Sequence, residues 1–266
     1  SLCVGLDTDI AKLPKHLKDK PHAVFEFNKA IIDATKDYCV SYKINTAFYE
    51  AQGLKGWEAM EQTVNYIPPT HFKIADAKRG DIGNTSDQYA KAFFEVLNFD
   101  AITVAPYMGE DSIKPFLTYK DKWTIVLGLT SNKGSADFQR LVIDSSHTNT
   151  QENSKKFLYE KILQTVSSWG SPDNLMYVIG ATQASDFEHI RSIIPHHFLL
   201  IPGVGFQGGS LADVSKYGIN KDGGLLVNAS RAILFASSNE DFAIAARAVA
   251  AEYQNEMKKY LNLIKE

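Results

Sequence analysis

FKIADAKRGDIGNTSDQYAKAFFEVL, residues 72–97, contains a whole structural unit and its chemistry. FKIADAK (72–78) opens apolar and reads as a strand. SDQYAKAFFEVL (86–97) places Tyr89, Phe93 and Val96 on one helical stripe. Between them, Asp76, Lys78, Arg79 and Asp81 put four charges into six residues, directly after the apolar FKIA. Charges are rarely buried unless paired. Such a cluster at the end of a strand needs either partners or a ligand.

The same strand-then-helix unit repeats in both directions. Further strands are expected at LCVGLD (2–7), CVSYKIN (39–45), AITVAPY (101–107), TIVLGLT (124–130), MYVIGAT (176–182), FLLIPGV (198–204) and GLLVNAS (224–230). With FKIADAK they make eight, and most are continuous apolar runs, as parallel strands covered on both faces are. Helices are expected in AVFEFNKAIIDATKDY, NSKKFLYEKILQTVSSW, ASDFEHIRSII and the tail DFAIAARAVAAEYQNEMKKYLNLI. Eight alternating units without a linker favour an α/β chain folded as one (β/α)8 TIM barrel over residues 1–266. A doubly wound open sheet is the competing architecture. One polar stretch, NKGSADFQRLVIDSSHTNTQ (132–151), is long enough for a lid after the fifth strand.

The 266 residues carry a net charge of −3 and a pI near 6.2. That balance gives no argument for nucleic acid or a membrane surface as partner. The apolar runs are too short to span a bilayer, and no secretory signal is visible. The chain starts on a strand with Ser1 rather than Met, from which a short missing N-terminal piece is expected. Cys3 and Cys39 lie in apolar runs with no CxxC partner or nearby His. They read as free buried thiols in a reducing, cytoplasmic setting.

A barrel places its chemistry at the carboxyl ends of its strands. Polar groups gather there: Asp7, then Lys43 and Asn45, then Asp76, Lys78 and Asp81, then Thr130 and Ser131, then Thr182, then GVGFQGG, then Asn228, Ser230 and Arg231. Asp76 and Lys78 are two apart, which a regular strand points to one face. Arg79 then faces the other way, where a salt bridge to a neighbouring element is expected. TSDQ fits a capping box with Thr85 as N-cap and Gln88 three residues on. The glycines Gly203, Gly205 and Gly208 match G-x-G-x-x-G but follow the seventh strand, the wrong place for a dinucleotide fingerprint. A phosphate loop fits better, with backbone N–H groups approaching the oxygens and Arg231 as a bidentate clamp. The seven histidines show no metal spacing. His196 and His197 precede the seventh strand, at the opposite end of a barrel.

Asp76-Ala77-Lys78-Arg79-Gly80-Asp81-Ile82-Gly83-Asn84-Thr85 resembles the D-x-K-x-x-D signature of the orotidine 5′-phosphate decarboxylase family, in the Lys-Arg-Gly-Asp form of its longer, bacterial-type branch. The resemblance extends through VGLD, YKINTAFYE, GLTSN, PGVGFQGG and NASR. It implies a (β/α)8 homodimer, without metal or cofactor, that converts orotidine 5′-phosphate to UMP and carbon dioxide. By the resemblance, Lys78 gives the proton to C6 of the pyrimidine and Asp76 lies beside the departing carboxylate. Lys43 bonds the ribose and orders the charges, and Asp7 binds a ribose hydroxyl. Asp81 and Thr85 reach into the partner subunit's site. Ser131 or Thr130 faces the pyrimidine, Gln207 and Arg231 hold the phosphate, and Pro202 joins the substrate-binding residues. Part of the family has a tyrosine two residues after this glutamine, where this chain has Gly209. Three rivals share the residue set: a Mg²⁺-dependent phosphate-sugar lyase, a Schiff-base aldolase using Lys43 or Lys78, and a phosphate-binding module without turnover.

Overall fold

Which side of each strand meets the barrel axis is decided by alternation, and the buried side chains divide accordingly. Cys3, Ile74, Ala101, Ile125, Met176, Val178, Leu200 and Leu226 form one cluster, along the axis. Their chain neighbours, among them Leu2, Val4, Ala75, Ile102, Val126, Tyr177, Ile179 and Val227, form the other, between sheet and helices. Seven of the eight strands are therefore apolar on both faces, the physical origin of the unbroken apolar runs; the second strand instead sends Ser41 and Lys43 to the axis.

The computed structural model describes residues 1–143, 156–205 and 209–262. Its strands are β1 (Leu2–Gly5), β2 (Ser41–Asn45), β3 (Phe72–Arg79), β4 (Ala101–Val104), β5 (Trp123–Leu129), β6 (Leu175–Ile179), β7 (Leu199–Pro202) and β8 (Leu225–Ala229). All eight are parallel, and β1 pairs with both β2 and β8, closing the barrel. The open-sheet alternative is excluded. Each strand coincides with an expected one, but most stop earlier. β1 ends at Gly5 rather than Asp7, and β4 at Val104 rather than Tyr107. The polar residues beyond these ends leave the ladder and turn over the barrel mouth, free of the sheet's geometry.

The principal helices are α1 (Ala23–Thr35), α2 (Leu54–Tyr66), α3 (Gly83–Lys91), α4 (Glu110–Leu117), α5 (Leu158–Val166), α6 (Phe187–Ile193), α7 (Leu211–Gly218) and α8 (Phe242–Asn262). α1 buries Val24, Phe27, Ile31 and Thr35 on one stripe, and α8 buries Phe242, Ala246, Ala250 and Met257. Phe27 stacks on Phe242 with ring centroids 5.0 Å apart, joining the first helix to the last. Burying a phenylalanine of this kind stabilises by about 1.5–3 kcal/mol. α3 continues into a π-helical turn, Ala92–Val96. Val142–Ile143 and Lys156–Phe157 form a small antiparallel pair outside the barrel. Among the described residues, no helix is long and apolar enough to cross a membrane.

The capping box is not formed. α3 starts at Gly83, so Thr85 lies inside the first turn, and Ile82 occupies the N-cap position. Gly83 adopts φ +46°, which lets the chain enter the helix three residues sooner than a Thr85 cap would. The Ser86 hydroxyl, not Thr85, ties down the entry, donating to the Asp81 carbonyl at 2.5 Å.

Candidate active site

The carboxyl end of the barrel opens into a cavity of about 510 Å³. Asp7, Lys43, Asp76, Lys78, Thr130, Ser131, Pro202 and Arg231 all line it, together with Asn45, Asn132, Gln139, Asn228 and Ser230. Eight of the eleven residues expected from sequence thus share one chamber. Asp81 and Thr85 do not line it. Gln207 lies outside the described residues, as do 144–151 of the expected lid.

The floor of the chamber is a chain of alternating charges. Register places Gly5 beside Lys43, and Asn45 beside Asp76. Lys43 Nζ donates to Asp7 Oδ1 at 3.2 Å and to Asp76 Oδ2 at 2.8 Å. Lys78 Nζ donates to the other Asp76 oxygen at 2.6 Å. Lys43 is buried, and burial works against its charge, yet Asp7 and Asp76 outweigh that and hold its pKa above the ordinary lysine value. Burial likewise penalises the Asp76 carboxylate, but Lys43 and Lys78 hold its pKa below the usual carboxylate range. Both groups are therefore ionised at neutral pH. The side chain of Lys78 is 50% exposed against 4% for Lys43, so the last cation in the chain faces the cavity.

Strand alternation does not by itself bring Asp76 and Lys78 together. β3 pairs regularly with β4 at Ala75–Ile102 and again at Arg79–Val104, with a register shift between. Asp76, Ala77 and Lys78 bulge out opposite Thr103 alone, and Lys78 takes a left-handed φ of +47°. The Lys78 backbone N–H donates to Thr103 Oγ1 at 2.9 Å, and that hydroxyl donates to Asp76 Oδ1 at 3.1 Å. On the outer side Arg79 meets expectation: it pairs with Glu50 and lies over the rings of Tyr89 and Phe93.

A second bulge shapes the opposite wall. β5 pairs with β6 at Leu127–Val178 and Leu129–Ile179, so Gly128 is one residue extra. A Cβ at Gly128 would come within 2.9 Å of Ile179 Cδ1 and 3.0 Å of Leu163 Cδ2. One extra residue reverses the alternation, which brings Thr130 to the cavity side. Gln139 then fixes Thr130, accepting from its N–H at 2.7 Å and donating to its hydroxyl at 2.9 Å.

After β7 the chain forms a closed neck. Gly205 N–H donates to the Gly209 carbonyl at 2.9 Å, and Gly209 N–H to the Gly203 carbonyl at 3.3 Å. A Cβ at Gly209 would stand 2.4 Å from Ala181 Cβ. No tyrosine fits there without moving the backbone, so the absence of that side chain is built into the neck. Beside it, β8 delivers Arg231 at the start of a helical turn, Arg231–Leu234. Among the described residues, Asn228 Oδ1 and Ser230 Oγ are buried without a hydrogen-bond partner.

Thr103 and Gln139 were missed by the sequence reading. Thr103 had a legible signal: it is the inward-facing position after Ala101 on β4, level with the charged end of β3. Gln139 sits in a polar stretch with no periodicity, and nothing marked it.

The chain matches the model of the family described as "Orotidine 5'-phosphate decarboxylase / HUMPS family" over residues 1–248. It is 57% identical over 266 residues to the orotidine 5′-phosphate decarboxylase of Bacteroides fragilis, covering 99% of this chain and 94% of that protein. Among solved structures, it resembles the OMP decarboxylase of Leishmania donovani with a TM-score of 0.79 and 34% identity, covering 96% of this chain and 92% of that one. The UMP synthase of the same organism matches with a TM-score of 0.83 and 36% identity, over 97% of this chain and 53% of that one.

Proposed function

Because the chain belongs to the orotidine 5′-phosphate decarboxylase / HUMPS family and decarboxylates orotidine 5′-phosphate to UMP and carbon dioxide in pyrimidine biosynthesis, we propose how its own residues carry that reaction. Lys78 delivers the proton to C6 of the pyrimidine. The observation that carries this assignment is its position: the cavity-facing cation at the end of a buried charge chain, 2.6 Å from Asp76.

Loss of carbon dioxide leaves negative charge at C6. A cation fixed where that charge develops lowers the barrier, since it need not reorganise during the reaction. Two unit charges at 4 Å interact by roughly 4 kcal/mol at an effective dielectric of 20. That corresponds to about three powers of ten in rate. Asp76, held ionised, stands beside the substrate carboxylate, and departure of that carboxylate relieves the repulsion. Lys43 keeps Asp76 charged and in place, with Asp7 at the ribose. Thr130 and Ser131 face the pyrimidine, Pro202 borders it, and Arg231 with Gln207 takes the phosphate. Phosphate binding, remote from the reacting carbon, supplies the remainder through exclusion of water. The charge chain provides the electrostatics itself, and the reaction is proposed to run without metal or organic cofactor.

The functional unit is proposed to be a homodimer. Asp81 and Thr85 stay outside their own cavity, in the same segment as exposed Ile82 and as Gly80, which lies near exposed Met108. That placement supports their entry into the partner's site. A cytoplasmic setting belongs to the same proposal, supported by the two free, buried cysteines.

Loss of the ultraviolet absorbance of orotidine 5′-phosphate, followed with and without EDTA, tests the reading. Turnover unaffected by EDTA is expected. Abolition by EDTA, restored by Mg²⁺, would turn the assignment toward a metal-dependent lyase.

A further inference from the structure

The β3 bulge leaves a hydrogen-bonding problem. Two extra residues stand against β4, and a bulge of this kind breaks the ladder locally. The backbone N–H of Lys78 finds its acceptor in the side chain of Thr103 rather than in a β4 carbonyl, at 2.9 Å. The hydroxyl has a single proton, and this goes to Asp76 Oδ1 at 3.1 Å. One buried atom thereby grips the backbone of the ammonium-bearing residue and the carboxylate that the ammonium touches.

Packing alone does not account for a hydroxyl here. Thr103 is fully buried between Ile102 and Val104, which are themselves fully buried. Valine has the same shape, suits a strand equally well, and carries no polar atom to desolvate. The hydroxyl matters only through its two bonds. Lys78 needs such a hold, because a left-handed backbone is uncommon for a residue with a side chain and persists where surrounding groups impose it.

We propose that Thr103 is a positioning residue for the decarboxylation, its hydroxyl fixing the Lys78 ammonium relative to the Asp76 carboxylate. This rests on the assignment of Lys78 as proton donor. Thr103 touches no reacting atom; it acts through both neighbours at once.

Thr103→Val and Thr103→Ser variants of the full chain separate this role from packing. Val keeps the shape and loses both bonds; Ser keeps both bonds and loses a methyl group. Thr103→Val is expected to lower kcat by about 10- to 100-fold, as misplacement of a reacting group by about 1 Å does. Its affinity for UMP, measured by calorimetry, should stay within about threefold of the parent, and Thr103→Ser should retain most of the parent's kcat. The role is overturned if Thr103→Val turns over within twofold of the parent. It is equally overturned if Thr103→Val loses UMP affinity in step with kcat, or if Thr103→Ser is no better than Thr103→Val. Thr103→Ala removes the same two bonds and replaces Thr103→Val if the latter does not fold. An inactive parent chain would instead defeat the decarboxylase reading, and this role with it; an active parent with an unaffected Thr103→Val defeats the positioning role alone.

Discussion

Lys43 and Asp76, 33 residues apart, meet at 2.8 Å where β2 and β3 reach the mouth of the barrel, and each keeps the other charged against burial. Asp7 completes Lys43 on one side, and Lys78 completes Asp76 on the other. Removing Lys43 takes the ammonium from Asp7 and leaves the buried Asp76 carboxylate with Lys78 alone. Lys43→Met should therefore destabilise the chain by about 3–5 kcal/mol. Urea unfolding at pH 7 measures it, and a loss under 1 kcal/mol would show that the network contributes little to stability.

The same pair sets a pH window. Asp76 titrates lower folded than unfolded, so its contribution is present above the unfolded value of about 3.9 and is lost as pH falls toward the folded one. Lys43 titrates higher folded than unfolded, so its contribution is present below about 10.4 and is lost as pH rises through the folded value. Asp76→Asn should flatten the acid side of the stability profile. Denaturation midpoints between pH 2.5 and pH 6 give the comparison; parallel profiles for parent and variant would contradict the assignment.

Lys78→Ala should lower kcat by about three powers of ten or more while UMP binding changes by only a few-fold. Absorbance kinetics and calorimetry read the two quantities. Turnover near that of the parent would remove Lys78 from its proposed role.

Arg231→Ala should weaken binding of orotidine 5′-phosphate by about 10- to 100-fold, the worth of a charge-assisted bond of about 1.5–3 kcal/mol. Phosphate-free orotidine should be turned over about equally by parent and variant. An equal loss on both substrates would place Arg231 elsewhere than at the phosphate.

Inactive Lys78→Ala and Asp81→Ala chains, mixed and reassociated, test whether sites are shared. Random pairing makes half the dimers mixed, each with one intact site, so about a quarter of parental activity is expected. No recovery in verified mixed dimers would mean that Asp81 serves its own chain.

The barrel was legible because parallel strands covered on both faces write themselves as unbroken apolar runs, and the charged ends of β1, β2 and β3 stood out against those runs. The backbone irregularities were not legible. Nothing in Ala75–Arg79 announces that three residues oppose one, and Gly128 reads as an ordinary glycine until Leu163 and Ile179 are seen against it. Thr85 satisfied the letter of a capping box, but Gly83 and Ser86 settled the helix start through contacts that lie outside the pattern.

The bulge at Asp76–Lys78 adds two residues and not one, which makes the motif sensitive to parity. Shortening it by a single residue would swing Arg79, the last residue of β3, from Glu50 and the rings of Tyr89 and Phe93 toward the barrel axis. Shortening it by two would restore an unbroken ladder and erase the chemistry. A deletion series across 75–79 should accordingly give misfolded chains at odd steps and folded, inert ones at even steps.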